Sequence, residues 1–436
     1  MLQQKKLRRI ARLTVKALRI SKKPNEGIEL AKKRFGSKLI NKLLSKNYWR
    51  LDELPTNLKK ILKYLEDPSF GPLVIKRNRK IYVKKLVGEV VRIVYSEVEP
   101  EIKKLVEFLK EEIWKKGCHV VDFTYSSREA RKHLILSPFD ALAELPKISL
   151  AAAKYYDVRI FIGGEEDIYW AKGYEWKLRF GAKASEKIRE IIDRRKIRWL
   201  YFGWPVKKNE YFVSEKIYRK VFYKSIEKTF SKKTRELCKT YEKLLKNVNK
   251  IRITASDGTD LTFRIKGRPI LVADGIIDER DMKRGDVGLN IPDGEVFVAP
   301  LEHSANGYIK FDWVPIHGFG LVKDLEIEFK KGKVVWFNSP QKSIFKKFLK
   351  ANTGEKDRIA EFGIGTNPAA RPIGETIVDE KIFGSIHIAI GNNRGCYHGK
   401  NKASSHLDMI KIMKGVDGRV YADGKLIMQD GKPIIE

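Results

Sequence analysis

The fold is decided by a strand, a helix and a strand in succession: GEVVRIVY at residues 88–95, EPEIKKLVEFLKEEIW at 99–114 and HVVDFTY at 119–125. The first and third segments are rich in β-branched residues, which favour strands. The middle segment repeats apolar residues at helical spacing. Two strands joined by a crossover helix run parallel in one sheet. We therefore expect a parallel sheet covered by helices.

The same alternation continues to about residue 245. Two further strand patterns and two helical patterns follow, at 158–162, 197–202, 186–195 and 214–230. Each strand is again separated from the next by a segment long enough to cross over the sheet. The pattern indicates a single α/β domain with several parallel strands.

Beyond residue 250 the chain consists of strand patterns joined by tight turns. Asp257-Gly258 separates two of them, at 251–256 and 261–265, which predicts a hairpin. More turns are predicted at Asn306-Gly307, Lys331-Gly332, Asp417-Gly418, Asp423-Gly424 and Asp430-Gly431. We expect an α/β fold in three parts: a basic, largely helical extension (1–84), a helix-covered parallel-sheet domain (85–245) and a strand-rich α+β domain (246–436).

Imidazole and carboxylate side chains stand on two short apolar segments of the third part. In SIHIAIG (385–391) isoleucines alternate with small residues, so a strand buries the isoleucines on one face and projects His387 from the other. In SHLDM (405–409) His406 and Asp408 are two residues apart, which points both side chains the same way on a strand, roughly 7 Å apart. Such a pair suits one metal ion.

Two glutamates begin similar segments. Glu361 precedes a run with two glycines, EFGIGTNP, and Glu295 follows the turn PDG and opens EVFVAP. Taken singly these signals are weak, because a histidine on an apolar strand is more often a core residue and a glutamate after Asp-Gly is usually a solvated turn end. The spacing alone does not bring the five residues together.

The blocks NIPDGEVFVAP (290–300), SANG (304–307), EFGIGTNP (361–368), HIAIG (387–391) and SHLD (405–408) occur in this order. They resemble the thermophilic metallo-aminopeptidases of peptidase family M29, of the aminopeptidase T, aminopeptidase S and PepS type. The resemblance covers roughly residues 85–436 and is strongest after residue 250. It implies a homodimeric enzyme acting on peptide substrates, with a metal-binding third domain whose ligands to two divalent ions are Glu295, Glu361, His387, His406 and Asp408.

The implied chemistry explains these residue types. Two metal ions lower the pKa of a shared water, polarise the scissile carbonyl and hold the free amino group of the substrate. We expect Glu361 to be the general base and shared ligand, because glycines in its segment leave room for substrate, and Glu295 to be a ligand. The opposite assignment stays open. Zinc, cobalt and manganese all suit this donor set.

The sequence departs from the family between the two histidines. The family places a tyrosine seven residues after the first metal histidine, whereas this chain has Arg394 there, and the segment from His387 to His406 is shorter. We expect Tyr397 or Arg394 to supply the missing hydrogen-bond donor to a developing oxyanion.

Other catalytic motifs are absent from the sequence. It contains no His-Glu-x-x-His, no phosphate-binding Gly-x-x-x-x-Gly-Lys-Ser/Thr and no Gly-x-Gly-x-x-Gly after a strand. The three cysteines are too scattered for a zinc ribbon or a disulfide framework. Alternative ligands or substrate-lining residues, ranked below the five, are Glu302, His303 and His317.

Composition fits a cytoplasmic enzyme. The content of hydrophobic residues is 42%, no apolar run approaches the roughly 18 residues of a membrane span, and the first residues lack the apolar core of a signal peptide. Abundant Lys, Glu and Arg resemble the composition of thermophile proteins.

The charge is the other unusual feature. The formal net charge is +34, and residues 1–50 hold sixteen Lys and Arg against two Glu, which favours binding to polyanions. In one interpretation the extension (1–84) contacts RNA or the ribosome, and the chain is an RNA-associated protein with weak or vestigial peptidase activity. In the other it is a solvated helical pair packed on an enzyme. An apolar face argues against a disordered tail; it is formed by Leu7, Ile10, Leu13, Leu18 and Ile20.

Overall fold

In the computed structural model, the described residues are 4–67, 73–164 and 166–435. The first elements are α1 (Gln4–Ala17), β1 (Lys22–Pro24), α2 (Gly27–Phe35), α3 (Ser37–Leu44), β2 (Tyr48–Arg50), α4 (Thr56–Glu66), β3 (Val74–Arg77), β4 (Lys80–Val83) and β5 (Leu86–Gly88). Strands β2, β4 and β3 form a three-stranded antiparallel sheet, and β1 pairs with β5.

The predicted extension divides into two parts. The apolar face of α1 is buried in the core of the following domain and packs along its first helix, α5 (Pro100–Lys115). Residues 25–83, which we call the N-terminal module, have a separate core that includes Trp49, Leu58 and Ile81. The described part of the extension is therefore folded, and it contains a small sheet in addition to helices.

The parallel sheet is built as the sequence predicts. Its elements in this region are β6 (Val90–Ser96), α5, β7 (His119–Tyr125), α6 (Ser127–Leu136), α7 (Phe139–Ala143), α8 (Lys147–Ala152), β8 (Val158–Gly163), α9 (Leu178–Arg195), β9 (Arg198–Gly203), α10 (Glu215–Thr229) and α11 (Lys232–Leu245). Strands β9, β8, β6 and β7 lie side by side and parallel. Helix α9 is longer than the predicted 186–195.

The third part is dominated by one antiparallel sheet of 13 strands. Its region contains β10 (Lys250–Thr254), β11 (Asp260–Arg264), β12 (Leu271–Ala273), α12 (Glu279–Arg284), β13 (Gly288–Ile291), β14 (Glu295–Val298), β15 (Asn306–Ile316), β16 (Gly320–Lys330), β17 (Lys333–Asn338), α13 (Lys342–Ala351), β18 (Ile359–Gly365), α14 (Thr376–Asp379), β19 (Ser385–Gly391), β20 (His406–Ile412), β21 (Arg419–Ala422), β22 (Lys425–Gln429) and β23 (Lys432–Pro433). The predicted fold class is confirmed.

Strand β13 does not join this large sheet. It pairs parallel to β9 and becomes the fifth strand of the parallel sheet, beyond the predicted domain boundary at residue 246. Gly288 permits this pairing, because a Cβ atom there would lie 2.2 Å from the Trp199 ring. The chain thus returns to the first sheet immediately before it enters β14, which places the two sheets next to each other at this point.

One of the predicted tight turns is wrong: Asn306-Gly307 lies at the start of β15 and pairs with β11. Asp417-Gly418 lies at the end of a turn before β21, but this turn does not close a hairpin, because β21 pairs with β10 rather than β20. The hairpins at Asp257-Gly258, Lys331-Gly332, Asp423-Gly424 and Asp430-Gly431 are present. A glycine in a strand permits close backbone approach as well as a turn, and a Cβ at Gly307 would lie 2.1 Å from the Asp260 carbonyl oxygen.

Candidate metal centre

Four neighbouring strands of the large sheet, in the order β14, β18, β19, β20, carry the five predicted ligands. In the register of this sheet Glu361 lies opposite Ala389, which lies opposite Asp408, and His387 lies opposite Gly363. Residues at even spacing along a strand project from one face. All five side chains therefore project from the same face: Glu295, Glu361, His387, His406 and Asp408.

Small residues on this face leave room for the donors. A Cβ atom at Gly363 would lie 2.0 Å from Nε2 of His387, so only glycine permits this ring position. On the opposite face the isoleucines of β19 are buried in the core of the large sheet. The alternation of isoleucine with small or polar residues thus separates core from site, as predicted for 385–391.

The donor atoms form two groups. Oε1 of Glu361 lies 3.1 Å from Nε2 of His387, which is 3.4 Å from Oε2 of Glu295. Oε2 of Glu361 lies 3.1 Å from Nε2 of His406, which is 3.4 Å from Oδ1 of Asp408. Within each group the donor atoms lie within 4.8 Å of one another. Glu361 belongs to both groups, one oxygen in each.

These donors fit divalent metal ions. Carboxylate oxygens and imidazole nitrogens are the ligands of zinc, cobalt and manganese. Oε2 of Glu295 is buried and has no hydrogen-bond partner, with Nε2 of His387 3.4 Å away, so a metal ion between the two atoms would satisfy both. Nδ1 of His406 lies 2.8 Å from the carbonyl oxygen of Asn392, the kind of contact that turns the other ring nitrogen toward a metal.

Electrostatics couple the two groups. Burial raises the pKa of Glu361, but hydrogen bonds with His387 and His406 outweigh burial and hold this pKa well below its ordinary value. Burial lowers the pKa of His387, whereas contacts with Glu361 and Glu295 raise it to about 9. The imidazoles therefore act as cationic partners of the carboxylates in the metal-free protein, and metal ions would replace their protons.

A buried lysine beside the site was not predicted from the sequence. Lys381 is fully buried; its Nζ is paired with Glu295 and lies 2.8 Å from Oε1 of Glu380. Burial raises the pKa of Glu380 to about 8, although Lys381 lowers it. In the sequence, Glu380 and Lys381 are two charged residues that directly follow α14. Two adjacent charges at the end of a helix are equally typical of an exposed turn, so the sequence did not indicate their burial.

Tyr397 and Arg394, the two predicted donors, are placed differently. The Tyr397 ring lies between Phe297 and His406, with centroids 5.5 and 5.8 Å away, and burial and the nearby Glu361 carboxylate raise its pKa well above the ordinary value. Arg394 is 47% exposed and lies 3.9 Å from Glu190 on α9. The structure brings Tyr397, but not Arg394, to the five ligands.

The alternative ligands serve other contacts. Glu302 accepts two hydrogen bonds from Nη2 of Arg268, at 2.7 and 2.6 Å. Nδ1 of His303 lies 3.1 Å from the guanidinium of Arg358. Neither these residues nor His317 belong to a group of metal donors among the described residues.

A cavity of about 800 Å³ lies in front of Tyr397 and His406, between the parallel sheet, α9 and the loop after β19. Arg92 and Arg159 are paired across β6 and β8 and project into it, and two carboxylates, Asp193 and Asp286, also line it. Burial lowers the pKa of Arg159, and Arg92 lowers it further. Six basic side chains line this cavity: Arg92, Arg159, Arg189, Lys196, Arg284 and Arg394.

The two donor groups form a candidate metal centre that opens into a basic cavity. A family model described as thermophilic metalloprotease (M29) matches residues 88–432, and the chain belongs to this family. The resemblance predicted from the sequence blocks is thereby confirmed.

Two solved structures have a similar fold. Wild-type AmpT from Thermus thermophilus is 18% identical, with a TM-score of 0.61 over 80% of this chain and 95% of that chain. The 2,5-dihydroxypyridine dioxygenase from Pseudomonas putida KT2440 is 15% identical, with a TM-score of 0.50 over 80% and 92%. At these identities the likeness concerns the fold alone. No curated protein has a significantly similar sequence.

Over residues 4–67, 73–164 and 166–435, no helix has the length and apolar character needed to cross a membrane.

Proposed function

We propose that this protein is a metal-dependent aminopeptidase that removes N-terminal residues from peptides and uses two divalent ions, zinc, cobalt or manganese. The observation that carries the proposal is the pair of donor groups that share Glu361. Membership of a metalloprotease family supports peptide substrates. Homodimeric assembly belongs to the same proposal.

In this proposal each ion has its own ligands and Glu361 is common to both. Glu295 and His387 would hold one ion, and His406 and Asp408 would hold the other. Each oxygen of Glu361 already faces a different histidine at 3.1 Å, which supports its role as shared ligand more strongly than its role as general base. The bound ions would activate water and polarise the peptide carbonyl.

Tyr397 is the residue we assign to transition-state stabilisation. Its ring is held between Phe297 and His406, and its raised pKa keeps the hydroxyl protonated, so the hydroxyl remains a hydrogen-bond donor at neutral pH. A preorganised donor of this kind stabilises a developing oxyanion. Arg394 takes no part in this step and lies at the outer part of the cavity.

The cavity in front of the donors supports short peptides as substrates. Tyr397 and His406 line one part of it and the arginines of the parallel sheet line another. A short peptide whose amino group lies at the donors would direct its remaining residues toward these arginines. The cavity therefore suits small peptides rather than folded proteins.

The test is hydrolysis of a short leucine peptide by the purified full chain loaded with zinc, cobalt or manganese. Release of leucine should require metal and stop on addition of a chelator. Glu361→Gln should abolish release, whereas Glu328→Gln, the same change at an exposed position of β16, should leave it unchanged. Equal inactivity of wild type and Glu361→Gln at full metal occupancy would contradict the proposal.

A further inference from the structure

The three-stranded sheet of the N-terminal module has one buried and one open face. Trp49, Ile81 and Val74 point from β2, β4 and β3 into the core of the module. The opposite face is exposed and is covered by no other described element. It lies outside residues 88–432, which match the metalloprotease family, so the catalytic fold does not account for it.

An aromatic row crosses the open face. Tyr48 lies opposite Tyr82, and Tyr82 lies opposite Ile75, so the three side chains are neighbours on adjacent strands. They are 47%, 41% and 47% exposed. The two tyrosine rings have centroids 6.2 Å apart. The rings are tilted by 41° to each other, so each tyrosine offers a separate exposed ring on which one base can stack.

A basic row runs beside the aromatic row. Two residues further along each strand, Arg50 lies opposite Lys80, and Lys80 lies opposite Arg77. Nζ of Lys80 lies 4.9 Å from the centre of the Tyr48 ring. Arg50 contacts the exposed Asp52 at 3.4 Å, but among the described residues no carboxylate pairs with Lys80 or Arg77.

The charge of the surrounding module has the same sign. Residues 25–83 contain fourteen Lys and Arg against six Asp and Glu. The spacing of alternate residues on a strand, about 7 Å, separates the basic row from the aromatic row. Bases stacked on the tyrosines would therefore have their phosphates within reach of the basic row.

We propose that this face, formed by Tyr48, Tyr82, Ile75, Arg50, Lys80 and Arg77, binds single-stranded nucleic acid. Aromatic side chains stack on unpaired bases, and a basic groove follows the backbone. In a duplex the bases are already stacked on each other and cannot lie flat on a sheet. An acidic protein segment would satisfy the basic row but would have no use for two adjacent exposed tyrosines.

The experiment measures the fluorescence anisotropy of labelled single strands of about twelve nucleotides, in RNA and DNA forms, with the full-length protein. Tyr48→Ala/Tyr82→Ala should weaken binding at least about tenfold, because stacking contributes this much per base. Tyr48→Phe/Tyr82→Phe should bind like wild type, since the rings remain. Arg77→Gln/Lys80→Gln should reduce the salt dependence of binding, by about 0.7 in the logarithmic slope for each phosphate that is no longer neutralised.

Matched variants on other surfaces serve as controls. Tyr155→Ala removes a tyrosine that is 73% exposed, and Lys232→Gln/Lys233→Gln removes two charges at the start of α11. Both should retain the affinity and salt slope of the wild type. Binding of RNA or DNA single strands with this pattern supports the proposal.

Three results would overturn it. In the first, the control variants lose as much binding as the variants of the open face. In the second, the alanine variant binds like wild type. In the third, a duplex or polyglutamate binds as tightly as the single strands do. Hydrolysis of leucine peptide should be the same in every variant of the module, so failure of this proposal is separable from failure of the proposed peptidase activity.

Discussion

Replacement of Lys381 by methionine tests whether the buried charges beside the donors compensate one another. Lys381 is completely buried and pairs with Glu295 and Glu380. Burial lowers its pKa, but the carboxylates Glu295, Glu380 and Asp293 raise it well above the ordinary value, so the lysine stays charged. Methionine has a similar length and no charge, so the change removes the cation and little volume.

The expected loss is large. Removal of one partner from a buried ion pair leaves an uncompensated charge and costs about 3–5 kcal/mol. In this protein Glu295 loses its cation, and so does Glu380 once the pH rises past the Glu380 pKa of about 8, so above this pH we expect the upper part of that range for the free energy of unfolding of the metal-free protein. Divalent ions bound at Glu295 would restore positive charge, and most of the deficit should then disappear.

The assay is urea denaturation followed by tryptophan fluorescence, in chelator and with saturating zinc. The control is Lys411→Met. Lys411 is also buried and ion-paired, but its partner Asp257 is 23% exposed, so water can hydrate the carboxylate when the lysine is gone. We expect a smaller loss in this control, unaffected by zinc.

The pH dependence gives a second readout. In the metal-free protein Glu380 has a pKa of about 8, above its ordinary value, so its contribution to stability is complete at acid pH and is lost as the pH rises through 8. Without Lys381 this pKa should rise further, and the deficit of Lys381→Met should be smaller at about pH 5 than at about pH 8. A deficit below about 1 kcal/mol in chelator, or one equal to that of Lys411→Met, would show that Lys381 does not compensate the buried carboxylates.

Three further predictions concern the site. Tyr397→Phe should lower kcat for a leucine peptide by about a hundredfold, as removal of an oxyanion donor does, whereas Arg394→Gln should leave kcat nearly unchanged. Steady-state kinetics measure both values, and a larger loss of kcat in Arg394→Gln than in Tyr397→Phe would contradict the assignment. Gly363→Ala should displace His387, because the new Cβ would lie 2.0 Å from Nε2, and calorimetric titration should show one zinc ion fewer than in wild type. Arg159→Gln should raise KM for a tripeptide with a free C-terminal carboxylate by about tenfold, which is the effect of removing a hydrogen bond between charged groups. KM for the amidated tripeptide should not change. Equal changes in KM for both peptides would exclude an interaction of Arg159 with the carboxylate.

The ligand set illustrates what could be predicted. Alternation in 385–391 and the two-residue spacing of His406 and Asp408 are local properties, and the structure shows both on one face of the sheet. The convergence of Glu295 with the others depends on strand order. Strand β14 pairs with β18, more than sixty residues later in the chain, and no periodicity records which distant strands pair.

The loop between the histidines shows the opposite case. Its composition left Arg394 and Tyr397 as equal candidates, because both can donate a hydrogen bond. The backbone places them differently: Gly395 and His398 adopt positive φ angles of 75° and 54°, and the short turn between them directs Tyr397 toward His406 and leaves Arg394 beside α9. Such turns depend on the elements against which they pack.

The parallel sheet, the strand-rich domain and the types of donor residue are predictable from the sequence, because side-chain alternation and helical spacing are set by neighbours along the chain. Three features are visible only in the folded chain: β13 returns to the first sheet, the extension divides between a shared core and a separate module, and Lys381 lies buried beside the donors. These features arise from pairing and burial between residues far apart in the chain, and such contacts leave no local pattern.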